Sequence, residues 1–181
     1  EPPGDAVGIL TRGAVLRALE EPSLRPSGPR PSVARVRALL REGLGPRWTW
    51  VERLGEVAAS LGYAVHLVGG SVRDLFLGQP VRDVDLVVEG EAPRVAREAR
   101  RRFGGRISTH QAFGTASLIL DDGESIDLAS ARAEHYERIA ALPKVELHAG
   151  LRQDLFRRDF TINAMAVSVS PQDLGTLHDP F

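Results

Sequence analysis

The stretch 66-HLVGGSVRDLFLGQPVRDVDLVVEG-90 constrains the fold more than any other part of this chain. Two short valine- and leucine-rich runs flank a glycine pair, a short amphipathic piece and two aspartates. Runs of that length suit buried strands, and the order strand, turn, helix, strand suits a sheet with helices packed on it. Val68 is expected to end a strand, Gly69 and Gly70 to turn the chain, and Ser71 to cap a helix closed by Gly78.

The same alternation continues downstream. Apolar strands are predicted at about Ala64–Val68, Val84–Val88, Thr115–Leu120, Ser125–Ala129 and Ala164–Val169. Helical periodicity marks Val33–Arg41, roughly Thr49–Leu61, Ala92–Phe103 and Leu151–Asn163. Strands alternate with helices and then follow one another directly, which predicts an α/β or α+β domain with a mixed sheet. Ahead of it, 7-VGILTRGAVLRALEE-21 reads as a strand, a turn and an amphipathic helix, followed by the proline-rich linker 22-PSLRPSGPRPS-32. The expected organisation is therefore 1–21, a linker at 22–32, connecting helices over 33–62 and a main domain over 63–181.

Composition excludes several classes. A hydrophobic fraction of 43% and a charged fraction of 26% are those of a globular domain, and no apolar run approaches the roughly 18 residues that span a bilayer. With no cysteine there is no disulfide framework and no thiolate chemistry, so a cytoplasmic setting is the default. The formal net charge of −1 means that any nucleic-acid partner must be held by a local patch. One candidate is 94-RVAREARRRFGGR-106, where Arg94, Arg97 and Arg101 fall on one helix face, a position equally suited to plain solvation.

The acids carry the chemistry. Asp83 and Asp85 are two apart at the start of a strand and project from one face. Two such carboxylates repel unless a cation sits between them, and oxygen-only ligation favours Mg²⁺ completed by waters and phosphates. The glycine turn upstream offers backbone N–H groups to an anion, with Arg73 close by; glycines serving geometry alone are the alternative. Asp127 lies among apolar residues of a later strand, and if that strand neighbours the first pair, three carboxylates form a two-metal site. In 154-DLFRRDFTINAMAVSV-169, Asp159 and Asn163 are expected on one helix face with Arg158 near its start, supplying a cation and short polar groups.

Together these segments resemble the class II tRNA nucleotidyltransferase and bacterial poly(A) polymerase family, a branch of the polymerase-β-like nucleotidyltransferases. The family's first motif, close to GGxVRDxLLGxxxxDxDL, is matched by 69-GGSVRDLFLGQPVRDVDL-86, and its second by 157-RRDFTINAMA-166. Asp127, Arg132, Glu134 and Tyr136 match a third-carboxylate strand followed by R-x-E-x-Y; 141-ALPKVE-146 resembles the family's mobile loop, and 175-GTLHDPF-181 the start of a third motif. The resemblance covers about residues 50–181.

It implies a head domain that adds CMP or AMP from CTP or ATP to the 3′-end of tRNA, releasing pyrophosphate, with A-addition favoured. Asp83 and Asp85 would bind two Mg²⁺ ions, and Asp127 would complete the triad and help deprotonate the RNA 3′-hydroxyl. Gly70, Arg73 and Arg158, with Gly69 and Ser71, would contact the triphosphate, while Asp159 and Asn163 would read the ribose. Poly(A) synthesis and a non-catalytic nucleotide- or RNA-binding module are the competing functions. Residues 7–19 resemble the last strand and helix of a CBS domain, which implies upstream CBS and DHH-type domains in a longer chain. The family's base-choosing E-D-x-x-R motif, with the neck, body and tail, would follow Phe181.

Overall fold

Ser32 opens the first helix: its hydroxyl accepts the Arg35 amide at 3.3 Å, and Gly45 closes the helix with a positive φ of 53°. The structure, a computed structural model, describes residues 30–135, 144–147 and 149–181. The CBS-like segment at 1–21 and most of the linker lie outside those residues. The chain divides into two units, Glu1–Pro31 and Ser32–Phe181.

Helices α1 (Val33–Leu44) and α2 (Arg47–Ser60) bury Val36, Leu40, Leu44, Val51, Leu54 and Val57 along single stripes. Gly55 is required in α2, because a Cβ there would stand 2.3 Å from the Val169 carbonyl oxygen. Strand β1 (Val65–Val68) leads through Gly69 into α3 (Gly70–Phe76), then β2 (Val84–Val88) and α4 (Ala92–Phe103). Four strands follow: β3 (Arg106–His110), β4 (Thr115–Ile119), β5 (Ser125–Ser130) and β6 (Arg132–His135). The chain continues with β7 (Lys144–Leu147), α5 (Leu151–Phe156), β8 (Ala166–Ser168) and β9 (Leu177–His178).

Seven strands form one mixed sheet in the order β3-β4-β5-β2-β1-β8-β9, while β6 and β7 make a separate antiparallel pair. Among the described neighbouring strands of the large sheet, β2 and β5 alone pair in parallel. One face carries Leu67, Leu86, Leu118, Ile126, Leu128 and Val167 into the main core with the helical stripes. The other face places Val68, Val87 and Ala166 against Leu151 and Leu155 of α5. Helix α5 covers only part of that second face, so polar side chains beyond it on β2, β4 and β5 line an open recess.

The expected α/β architecture and mixed sheet are present, with local corrections. Gly69, not Ser71, is the N-cap of α3, since only a glycine takes its φ of 69° without strain. The helix predicted over Leu151–Asn163 stops at Phe156; only Thr161–Asn163 resumes, as a single 3₁₀ turn. Beyond the break, Asp159 accepts the Phe160 amide at 2.9 Å, and Thr161 and Ile162 are β-branched, both of which weaken helix continuation. Strands β3, β6, β7 and β9 were not legible: β3 is mostly exposed and lacks an apolar period, and β9 is two residues long. Lys144–Leu147, which overlaps the end of the loop-like stretch 141–146, pairs with β6 as a strand.

Candidate active site

Asp85 on β2 and Asp127 on β5 are direct partners in the parallel register, so their side chains leave the same sheet face. Residues so placed on adjacent strands are about 5 Å apart. Asp83 sits one residue before β2, near enough to act on the Asp85 carboxyl. All three are solvent-accessible, and Asp85 and Asp127 line an open recess of about 400 Å³ with Ser117, Arg157 and Arg158. The Asp85 carboxyl is pushed above the usual carboxylate range, first by loss of water, then by Asp127 and Asp83, while Arg158 pulls the other way. The three acids are thus held together against their own repulsion.

The neighbourhood fixes them in place. Ser117 Oγ donates to Asp127 Oδ1 at 2.5 Å. The buried Ser71 hydroxyl donates to the Asp83 carbonyl at 2.8 Å and accepts the Asp85 amide at 3.3 Å. Ser71 therefore ties the first turn of α3 to the start of β2, a use of its side chain other than the capping expected from sequence. Among the described residues no three His, Cys, Asp or Glu side chains close into a ready-made metal cage. Magnesium does not require one, because it keeps several waters and shares substrate phosphates.

Opposite the acids stand two arginines from the end of α5. Arg157 donates through Nε and Nη2 to Asp154 Oδ1 at 3.0 and 2.7 Å, and Arg158 Nη2 donates to Asp154 Oδ2 at 2.9 Å. A Cβ on Gly69 would lie 3.1 Å from Arg158 Nη1, so a glycine serves both the positive φ and the close approach of that guanidinium. Next to this turn, Arg73 donates to Asn163 Oδ1 at 2.9 Å and pairs with Asp74 at 2.8 Å.

The far end of the same sheet face holds His66, whose Nε2 lies 3.0 Å from Glu89 Oε1. Glu89 Oε2 also accepts the Leu151 amide at 2.9 Å, anchoring the start of α5. Burial holds His66 below its ordinary value, outweighing the opposing pull of Glu89. A neutral ring must then donate through Nε2 to the carboxylate.

Of the residues singled out by sequence, Asp85, Asp127 and Arg158 share one recess, with Asp83 and Gly69 beside it. Gly70, Arg73 and Asn163 form an adjoining cluster. Asp159 is exposed on the turn after α5 and is not drawn into the recess. Arg97 and Arg101, with Arg100 and Ile107, line a shallow hollow on α4. There Arg101 is bonded twice to Glu98, at 2.8 and 2.7 Å, and Arg101 with Arg102 holds the Glu98 carboxyl down to about 2. Sequence reasoning missed Asp154, Ser117 and Arg157. The signal for Asp154 was an acid at three and four residues before paired arginines, spacing that brings them to one helix face.

Residues 65–181 match the family model described as the poly A polymerase head domain, so the chain belongs to that family. The chain is 38% identical to an A-adding tRNA nucleotidyltransferase of Geobacter sulfurreducens over 97% of its own length, but spans only 21% of that relative. It is 52% identical to an A-adding tRNA nucleotidyltransferase of Aquifex aeolicus, covering 64% of this chain and 14% of the relative. Among solved structures, a CCA-adding enzyme in an apo form superposes with a TM-score of 0.75 at 43% identity, over 81% of this chain and 34% of that one.

Proposed function

We propose that the protein transfers a nucleoside monophosphate from a nucleoside triphosphate to the 3′-hydroxyl of tRNA, releasing pyrophosphate, and that AMP is the unit added. The observation that carries this reading is the Asp85–Asp127 pair, opposed across parallel strands and faced by Arg158 in the same recess. A-adding tRNA nucleotidyltransferases among the relatives support the choice of acceptor and of ATP.

In this reading Asp83 and Asp85 would hold the magnesium ions, and Asp127 would complete the carboxylate set. Bound Mg²⁺ would supply Lewis-acid activation and neutralise charge on the triphosphate. The carboxylate set fits that ion, since like charges brought this close lower their repulsion by taking a divalent cation. Arg158, the Gly69-Gly70 turn with Ser71, and Arg73 bind and orient the triphosphate, chiefly by positioning and electrostatics. Asn163, held by Arg73, contributes a polar group toward the ribose; Asp159 joins it only if the turn after α5 moves. Asp127 takes or passes on the proton of the RNA 3′-hydroxyl.

Base choice and the grip on tRNA are assigned to residues other than these. Among the described residues no helix is long and apolar enough to cross a membrane. The test is incorporation of radiolabelled ATP and CTP by the intact protein into tRNA ending before A, before CCA, and into an unrelated RNA. Addition of A to the first substrate alone is expected. Long tracts of A on any RNA would point to poly(A) synthesis, and Mg²⁺-dependent ATP binding without incorporation to a binding module.

A further inference from the structure

We propose that Asp154 is a positioning residue: its buried carboxylate splays Arg157 and Arg158 into the recess and thereby sets the affinity for the nucleotide's phosphates. This rests on the reading of the recess as a triphosphate site. Asp154 is 0% exposed, and an uncompensated carboxylate at such a place is costly. Its compensation comes from the two arginines three and four residues further on, where the helix has just ended, and from the Arg132 amide, which donates to Oδ1 at 3.4 Å. Each Asp154 oxygen serves a different guanidinium, Oδ1 taking two donors of Arg157 and Oδ2 one of Arg158.

Both arginines line the recess that holds Asp85 and Asp127. Asp154 engages Arg158 through Nη2 alone. Nη1 faces the Gly69 turn, and Nε is buried without a hydrogen-bond partner among the described residues. A guanidinium held at one corner keeps its other donors in a fixed fork, the geometry that recognises phosphate oxygens. The support is itself anchored, because Glu89 holds the Leu151 amide at the start of the same two-turn helix.

The test is calorimetric titration of inorganic tripolyphosphate into the intact protein. Wild type would be compared with Asp154→Asn, Arg158→Ala and the double variant, with melting curves confirming the fold. Removing a charge-assisted contact is expected to weaken binding about ten-fold or more in each single variant. The double variant should lose less than the sum of the two single losses, since both changes act on one unit. Wild-type affinity in a folded Asp154→Asn protein, or strictly additive losses, would overturn the proposal while leaving the functional reading intact. Should Asp154→Asn melt at the assay temperature, Asp154→Glu keeps the charge but displaces both arginine tips. It should also bind more weakly, and unchanged affinity there would equally overturn the role. Absence of tripolyphosphate binding by the folded wild type would instead refute the triphosphate site itself, and this role with it.

Discussion

Asp85 and Asp127 meet across the parallel β2–β5 pairing of the seven-stranded sheet, each the register partner of the other. Burial and the neighbouring acids raise the Asp85 carboxyl above its ordinary value of 3.8, so the folded protein binds its proton more tightly than the unfolded chain. The sign follows: stability falls as pH rises through and above that ordinary value, and at neutral pH the ionised cluster opposes folding. Asp85→Asn should therefore abolish nucleotidyl transfer, by a factor of about 100 or more, while raising the melting temperature in metal-free buffer. Added Mg²⁺ should stabilise wild type and leave the variant nearly unchanged. Differential scanning calorimetry with and without Mg²⁺ checks this, and a metal-free variant less stable than wild type would contradict it.

Ser71 is the buried hinge between the glycine turn and the acids. Ser71→Ala leaves the Asp83 carbonyl and the Asp85 amide without their shared hydroxyl, so a loss of about 1–3 kcal/mol is expected. Urea denaturation reads that loss. Transfer activity at a temperature where the variant is fully folded should fall as well, because both acids shift. Undiminished activity would show that the hydroxyl serves stability alone.

His66 gives the fold a pH dependence of its own. Its folded value lies below the ordinary 6.5, so on acidification the unfolded chain takes up the proton first. Stability from this residue is therefore fully present above about pH 6.5 and is lost as pH falls through that value toward the folded one. Replacing it with glutamine, which retains a donor for Glu89, should flatten the decline in melting temperature between pH 7 and 5. An identical decline in wild type and His66→Gln would assign the effect elsewhere.

The α4 arginines separate a solvated face from an RNA contact. Arg101 is already bonded to Glu98, so Arg97→Ala is expected to weaken RNA binding more than Arg101→Ala. Each phosphate contact removed should reduce the slope of log affinity against log salt by about 0.7–0.9. Salt titrations of tRNA binding by the intact protein measure it. A slope unchanged in the double variant would leave these arginines as a solvated face.

Much of the fold was legible because burial imposes period and length. Val65–Val68 and Val84–Val88 are mostly buried and apolar, interrupted only by His66 and Asp85, and were readable as strands, and α4 was bounded at Ala92 and Phe103 as found. What failed was decided by tertiary partners. The exposed strand β3 exists because it pairs with β4, not because its residues demand it. The Leu151–Asn163 helix was overextended because local competition at Asp159 does not register in apolar spacing. In the site, the facing of Asp85 by Asp127 was conditional on strand order, which no periodicity reveals. Asp154 escaped notice because its partners were read for charge and not for what holds them.

The most direct test of the account is labelling of tRNA lacking its terminal A by the intact protein with radioactive ATP and Mg²⁺, beside the folded Asp85→Asn, Asp127→Asn variant. The account predicts a single AMP added by wild type and none by the variant. Incorporation that survives loss of both carboxylates, or its absence in a folded wild type, would contradict it.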